Sequence, residues 1–174
     1  MQLSIFNFLE NLSSNKKGSL TEKTIWTLFT DGASRNNPGI SGAGIYILKN
    51  GDKFLQKSIY LGIKTNNQAE YLALIIGLYY INKEIIKEKD IIQINLDSNL
   101  IVNQIIGKFK IKNSNLLNFY YFVIDELSDT NYEINHISRE KNSTADRLAN
   151  IAIDQKVEPD DNLSIFLNKI ILKN

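Results

Sequence analysis

Apolar residues recur at period two in some stretches of this chain and at helical spacing in others. Residues 24–30 (TIWTLFT) are β-branched and aromatic and predict a strand, which the turn-rich DGASRNNPG follows. Residues 42–49 and 53–61 predict two more strands around Asn50-Gly51, a dipeptide that favours tight hairpins. Residues 67–81 place Ala69, Leu72, Ala73, Ile76 and Tyr80 on one helical face. Residues 91–96 (IIQINL) predict a strand, residues 98–106 a short helix and residues 114–127 a longer one. Residues 131–137 alternate as a strand, and residues 142–153 predict a helix with Asn142 or Ser143 as N-cap. The order βββαβααβα predicts an α/β fold, a sheet of mixed direction with helices on its faces.

The ends read differently. Residues 1–22 form an expected N-terminal extension, apolar at helical spacing over 4–12 and a polar linker over 11–18. Residues 23–155 form the expected domain. Residues 156–174 are the C-terminal extension, where VEPDDN precedes an apolar run that predicts a docked helix or strand. With 43% apolar and 22% charged residues, 174 residues suit one globular domain.

Charge changes the picture little: 20 Lys+Arg against 19 Asp+Glu leave a net +1, so any nucleic-acid attraction must come from a local basic stripe. The absence of cysteine excludes disulfides, zinc-thiolate sites and a cysteine nucleophile. The longest apolar run, residues 71–81, is shorter than the roughly 20 residues a membrane helix needs. The first residues lack a basic segment and a small-residue cleavage site, so the expectation is a cytoplasmic protein with no membrane partner.

Four acids stand at telling places. Asp31 ends the first predicted strand, Glu70 lies near the start of the first long helix, Asp97 ends IIQINL, and Asp146 lies near the start of the helix after the last strand. The carboxyl ends of strands in an open α/β sheet face the crevice where ligands bind. Carboxylates gathered there repel one another unless a cation intervenes. Oxygen ligands, with no Cys and a single His in the chain, favour a hard ion such as Mg²⁺ or Mn²⁺.

TDGASRNNPG, TNNQAEYLAL, LDSNLIVNQIIG and HISREKNSTADRLAN, in this order and spacing, resemble type 1 ribonuclease H over about residues 24–152. The resemblance implies a ribonuclease H-like five-stranded mixed sheet with helices on both faces. It implies that Asp31, Glu70, Asp97 and Asp146 hold two Mg²⁺ ions, with Mn²⁺ as a substitute, about 3.5–4 Å apart. The implied activity is endonucleolytic hydrolysis of the RNA strand of RNA–DNA hybrids, leaving 5′-phosphate and 3′-hydroxyl ends, by a protein expected to act as a monomer.

The family often carries a histidine in the loop before the last acid. His136 lies ten positions before Asp146 and is one candidate for that auxiliary group. Period-two alternation, however, puts Tyr132, Ile134 and His136 on one face of a strand, with the loop beginning near Ser138. HISREKN also resembles a subgroup with an arginine in the loop, so Arg139 is the other candidate.

A protein that tells RNA from DNA must read the 2′-hydroxyl at close range. DGASRNNPG supplies Gly32, Ala33, Ser34 and Asn37, and TNNQAE supplies Thr65, Asn66, Asn67 and Gln68. By the resemblance, Asn37 and residues 66–68 contact the hybrid's minor groove, and Asn99 joins the substrate-binding set. Asn also favours turns and caps, and both roles can coexist. Many bacterial relatives insert a basic protrusion between the two middle helices. Here only GKFKIKNSN links them, where Lys108, Lys110 and Lys112 offer either a phosphate-binding stripe or a solvated charge run. The rival readings are a DNA-cutting nuclease of the same fold, against which TNNQAE argues, and a catalytically silent hybrid-binding module, against which the four acids argue.

Overall fold

The computed structural model describes residues 23–171. The expected N-terminal helix and linker lie outside them.

The strands are β1 (Ile25–Ser34), β2 (Gly39–Lys49), β3 (Asp52–Lys64), β4 (Ile91–Leu96) and β5 (Asn131–His136). They form a five-stranded sheet in the order β3-β2-β1-β4-β5. The β1–β2 and β2–β3 pairs are antiparallel, whereas β1–β4 and β4–β5 are parallel, so the sheet is mixed as expected. Asn50 (φ 52°) and Gly51 (φ 89°) make the tight turn between β2 and β3, the left-handed pair that hairpin twist requires.

The helices are α1 (Asn66–Ile81), α2 (Asn99–Ile105), α3 (Ser114–Leu127), α4 (Ser143–Gln155) and α5 (Asp161–Ile171). Every residue of α1 from Tyr71 to Leu78 is buried, because α1 packs on β1 and β2 with one side and meets α3 with the other. A helix apolar all round belongs in such a place. The opposite face of the sheet takes α4, which buries only Ala145, Leu148, Ala149, Ala152 and Ile153 and keeps a polar outer side. The tail folds as a helix: α5 buries Leu163, Leu167 and Ile170 and sets Phe166 against Tyr79 of α1, ring centroids 4.4 Å apart.

Three boundaries differ from the sequence reading. β1 runs on through Ser34 instead of ending at Thr30, because Gly32 and Ala33 pair with Ala43 and Gly42 despite their turn-prone neighbours. β2 begins at Gly39, and β3 reaches Lys64. Asp31 therefore sits within its strand, not at the end.

Gly44 sets how closely α4 approaches the sheet. A Cβ there would run into the Ala145 carbonyl oxygen and lie 2.5 Å from the Ala149 nitrogen, both main-chain atoms that cannot swing aside. Gly44→Ala should destabilise the protein by about 2 kcal/mol or more, roughly 4–8 °C in melting temperature. It should also lower activity by shifting Asp146, the residue after Ala145. Thermal unfolding monitored by circular dichroism checks the first effect.

Candidate active site

Parallel pairing between β1 and β4 stops at Phe29 and Asn95. Asp31 and Asp97 each lie two residues beyond that point, so both carboxylates emerge where the two strands part. Glu70 arrives from α1. Its approach depends on Gly32, where a Cβ would strike the backbone of Ala69 and Glu70. With no side chain in the way, the start of α1 lies directly on β1, and the Gly32 N–H donates to the Glu70 carboxylate.

One carboxylate oxygen from each of Asp31, Glu70 and Asp97 lies within 4.8 Å of the others, a spacing suited to a shared metal ion. Burial, then the charges of Asp97 and Asp146, pushes the Asp31 carboxyl from its ordinary 3.8 up to about 7, against a smaller opposing pull from Arg139. Burial also lifts Glu70 well above the usual carboxylate range, reinforced by Asp31 and Asp97. The metal-free cluster is thus short of positive charge.

The fourth acid is held apart from those three. Asp146, near the N-terminus of α4, takes a bond from Arg139 Nη2 at 2.6 Å and another from Nε at 3.2 Å, both on Oδ1. Asn150 Nδ2 donates to the Asp146 carbonyl at 2.9 Å and approaches Oδ2 at 3.4 Å. Arg139 opens a 3₁₀ turn, Arg139–Asn142, and lines the acid cleft of about 280 Å³. His136 closes β5, stays exposed, and places Nε2 3.2 Å from the Asp97 carbonyl oxygen. Of the two candidate auxiliary groups, the structure brings Arg139 to the acids and ties His136 to the backbone behind one of them.

The other expected residues divide between the cleft and its surroundings. Gly32, Ala33, Ser34 and Asn66 line the cleft. Ser34 Oγ bonds the Lys64 carbonyl at 2.9 Å. Asn37 Oδ1 accepts the Asn66 N–H at 2.9 Å, while Thr65 and Gln68 form a capping box at the start of α1. Cap chemistry therefore does occur at these positions. Asn67 lines a second groove with Lys108, Phe109, Lys110 and Lys112, all four of that loop exposed. Asn99 is exposed and accepts from Asn103 Nδ2 at 2.7 Å, in neither groove.

Two cleft residues escaped the sequence reading. Arg35 lines the cleft and pairs with Asp154 of α4 at 2.9 Å. Asn150, four residues after Asp146, shares its helical face, a spacing that could have pointed to it. Asn142, expected as a cap, makes no side-chain cap bond. It donates instead to the Thr30 carbonyl and to Asp97 Oδ1.

Residues 29–152 match the reverse transcriptase-like family. A bifunctional protein of Mycobacterium tuberculosis is 36% identical over 129 residues, 71% of this chain, but the chain spans only 34% of that relative's length. Among solved structures, RNase H1 of Halobacterium salinarum superposes with a TM-score of 0.71 at 31% identity, covering 75% of this chain and 98% of the other. LC11-RNase H1, solved in complex with an RNA/DNA hybrid, gives a TM-score of 0.68 at 36% identity, covering 77% of this chain and 99% of the other. With matching motifs, sheet and acid cluster, this chain belongs to the type 1 ribonuclease H family.

Proposed function

We propose that this protein is an endoribonuclease that hydrolyses the RNA strand of RNA–DNA hybrids with the help of two divalent cations. The observation that carries the proposal is the convergence of Asp31, Glu70 and Asp97 in one cleft, lined also by Asn66 and Arg139. The donor set fits Mg²⁺, with Mn²⁺ as a substitute: every ligand is a carboxylate oxygen, and the metal-free acids repel one another. Asp31, Glu70 and Asp97 would hold the ions, joined by Asp146. When bound, such ions supply Lewis acidity to the attacking water and the departing 3′ oxygen, which leaves 5′-phosphate and 3′-hydroxyl ends.

The chain's own residues do the rest. Gly32, Ala33 and Ser34 present backbone at the cleft wall, and Asn66 adds an amide beside it, so the RNA strand can be read through its 2′-hydroxyls. Asn37 takes the Asn66 main-chain N–H and the Thr65–Gln68 box caps α1, which together fix where the Asn66 side chain stands. Residues 23–155 form the catalytic unit, while α5 of the C-terminal extension supports α1 from behind. No described helix is long and apolar enough to cross a membrane. The protein is proposed to act as a monomer in the cytoplasm.

The decisive experiment is cleavage of labelled RNA–DNA, RNA–RNA and DNA–DNA duplexes with and without Mg²⁺. The hybrid's RNA should be cut and both homoduplexes spared; equal cutting of double-stranded DNA overturns the assignment. Lys108, Lys110 and Lys112 are proposed to touch phosphate along the second groove. If so, Lys110→Ala lowers the slope of log affinity against log salt by about 1. An unchanged slope makes this a solvated run.

Arg139 is proposed as the auxiliary group. Its guanidinium steadies Asp146 and faces the cleft, whereas His136 turns to a backbone carbonyl. Arg139→Ala should slow turnover about 10- to 100-fold, the usual cost of losing a partner that orients a metal ligand. His136→Ala should change turnover little. Steady-state rates on a hybrid substrate distinguish the two, and a larger loss at His136 with the fold intact reverses the assignment.

A further inference from the structure

Asn142 is among the most buried polar side chains of the described residues, 1% exposed, at the junction of the three elements that carry Asp31, Asp97 and Asp146. Its Nδ2 lies 2.9 Å from the Thr30 carbonyl oxygen on β1 and 2.9 Å from Asp97 Oδ1. Both partners are acceptors, so only the nitrogen of the amide can face them, and the orientation of the side chain is settled. The price is visible on the other side: Asn142 Oδ1 is buried without a hydrogen-bond partner.

That arrangement is a poor device for stability alone. A buried amide that leaves its oxygen unpaired forfeits much of what its nitrogen gains. It does not cap α4, although it stands at the cap position. What it does accomplish is directional. The χ2 torsion of an aspartate is broad and turns easily. A charge-assisted bond to one oxygen stops that rotation and fixes where the other points. The second bond of the same nitrogen ties this anchor to Thr30, the residue before Asp31.

We propose that Asn142 is a positioning residue, which locks the Asp97 carboxylate against the strand that carries Asp31 and so sets the geometry in which the two acids receive a cation. The proposal rests on the metal-dependent reading of the site and deepens it. It makes Asn142 act through Asp97 without touching substrate.

The test uses Asn142→Ala and Asn142→Leu, the second keeping the volume while removing both polar atoms. Mg²⁺ binding by isothermal titration calorimetry, melting temperature in EDTA, and kcat and KM on a hybrid are measured for each. The expected result is a folded protein whose Mg²⁺ affinity falls about 10-fold or more, as when partners that orient metal ligands are lost. kcat should fall with it, and KM should stay within about twofold of wild type. In the Asp97→Asn background, Asn142→Ala should cause no further loss of Mg²⁺ affinity, since coupled residues do not add. Mg²⁺ affinity and kcat within twofold of wild type in either folded variant overturn the proposal. So does failure of both variants to fold, which would make Asn142 a structural residue. If wild type binds Mg²⁺ yet cuts no hybrid, the functional reading fails while the titration still decides the role of Asn142.

Discussion

Asp97→Asn should abolish hybrid cleavage while leaving the metal-free protein at least as heat-stable as wild type. The two effects have one cause. Asp97 helps push up the carboxyls of both Asp31 and Glu70, so removing its charge relieves a repulsion that the fold otherwise carries. The substitution keeps the shape and an oxygen able to accept the Asn142 bond. Melting temperature in EDTA should therefore hold or rise by a few degrees, about 1 kcal/mol of relief. Activity should drop by about 10³-fold or more, equivalent to roughly 4 kcal/mol of barrier. Wild type should gain melting temperature as Mg²⁺ rises, because a ligand that binds only the folded state stabilises it, and the variant should gain less. Parallel melting curves with EDTA and with Mg²⁺, beside a cleavage assay, read all three. A variant that is less stable without metal yet still cuts hybrid makes Asp97 a structural residue.

The metal-free protein should also lose stability as pH rises from about 5 to 8, the reverse of ordinary acid denaturation. Asp31 titrates near 7 in the folded chain, chiefly because it is buried, against an ordinary value of 3.8. The folded state thus binds its proton more tightly than the unfolded chain does. The resulting stability is fully present below the unfolded value near 4 and is lost as pH passes through 7. One such group contributes a slope of up to about 1.4 kcal/mol per pH unit, and Glu70 adds to it in the same direction. Saturating Mg²⁺ should flatten the trend, since a cation competes with protons for the same oxygens. Chemical unfolding at several pH values in EDTA tests this; a midpoint that is flat or rising between pH 5 and 8 defeats it. Asp90 works in the other direction. Burial raises it, but N–H groups of Ile86, Thr24 and the Trp26 indole outweigh that and hold it below its usual range. Its contribution is lost only in stronger acid, below the window in which Asp31 titrates.

Much of the architecture was legible from local pattern. Asn50-Gly51 announced its hairpin, period-two runs announced the strands, and the four acids stood out by their motifs. What local pattern could not supply were side chains whose partners are remote. Asp90 carries no local signal of a role, yet it accepts from residues 64 and 66 positions away. Asn142 reads as a cap because Asn is a good cap, but carbonyl and carboxylate acceptors brought by β1 and β4 outbid the helix amides. Gly32 reads as a small residue for close approach of substrate, and local pattern does not reveal that it also lets α1 touch β1. The separate state of Asp146 follows from Arg139, seven residues away across a 3₁₀ turn that local pattern does not mark.

The hairpin turn at Asn50 and Gly51 has a practical meaning for anyone engineering this protein. Gly44, which pairs with Asp31, lies six positions back along β2, so the turn is about 20 Å from the acids, at the opposite end of the sheet. Gly51 must stay glycine, because its φ of 89° is one that L side chains rarely adopt, but the neighbouring Asp52 is exposed and free of that constraint. A fluorophore, an affinity handle or a surface tether attached there would project away from the cleft. Turnover could then be followed on an immobilised or labelled molecule with its active face left open.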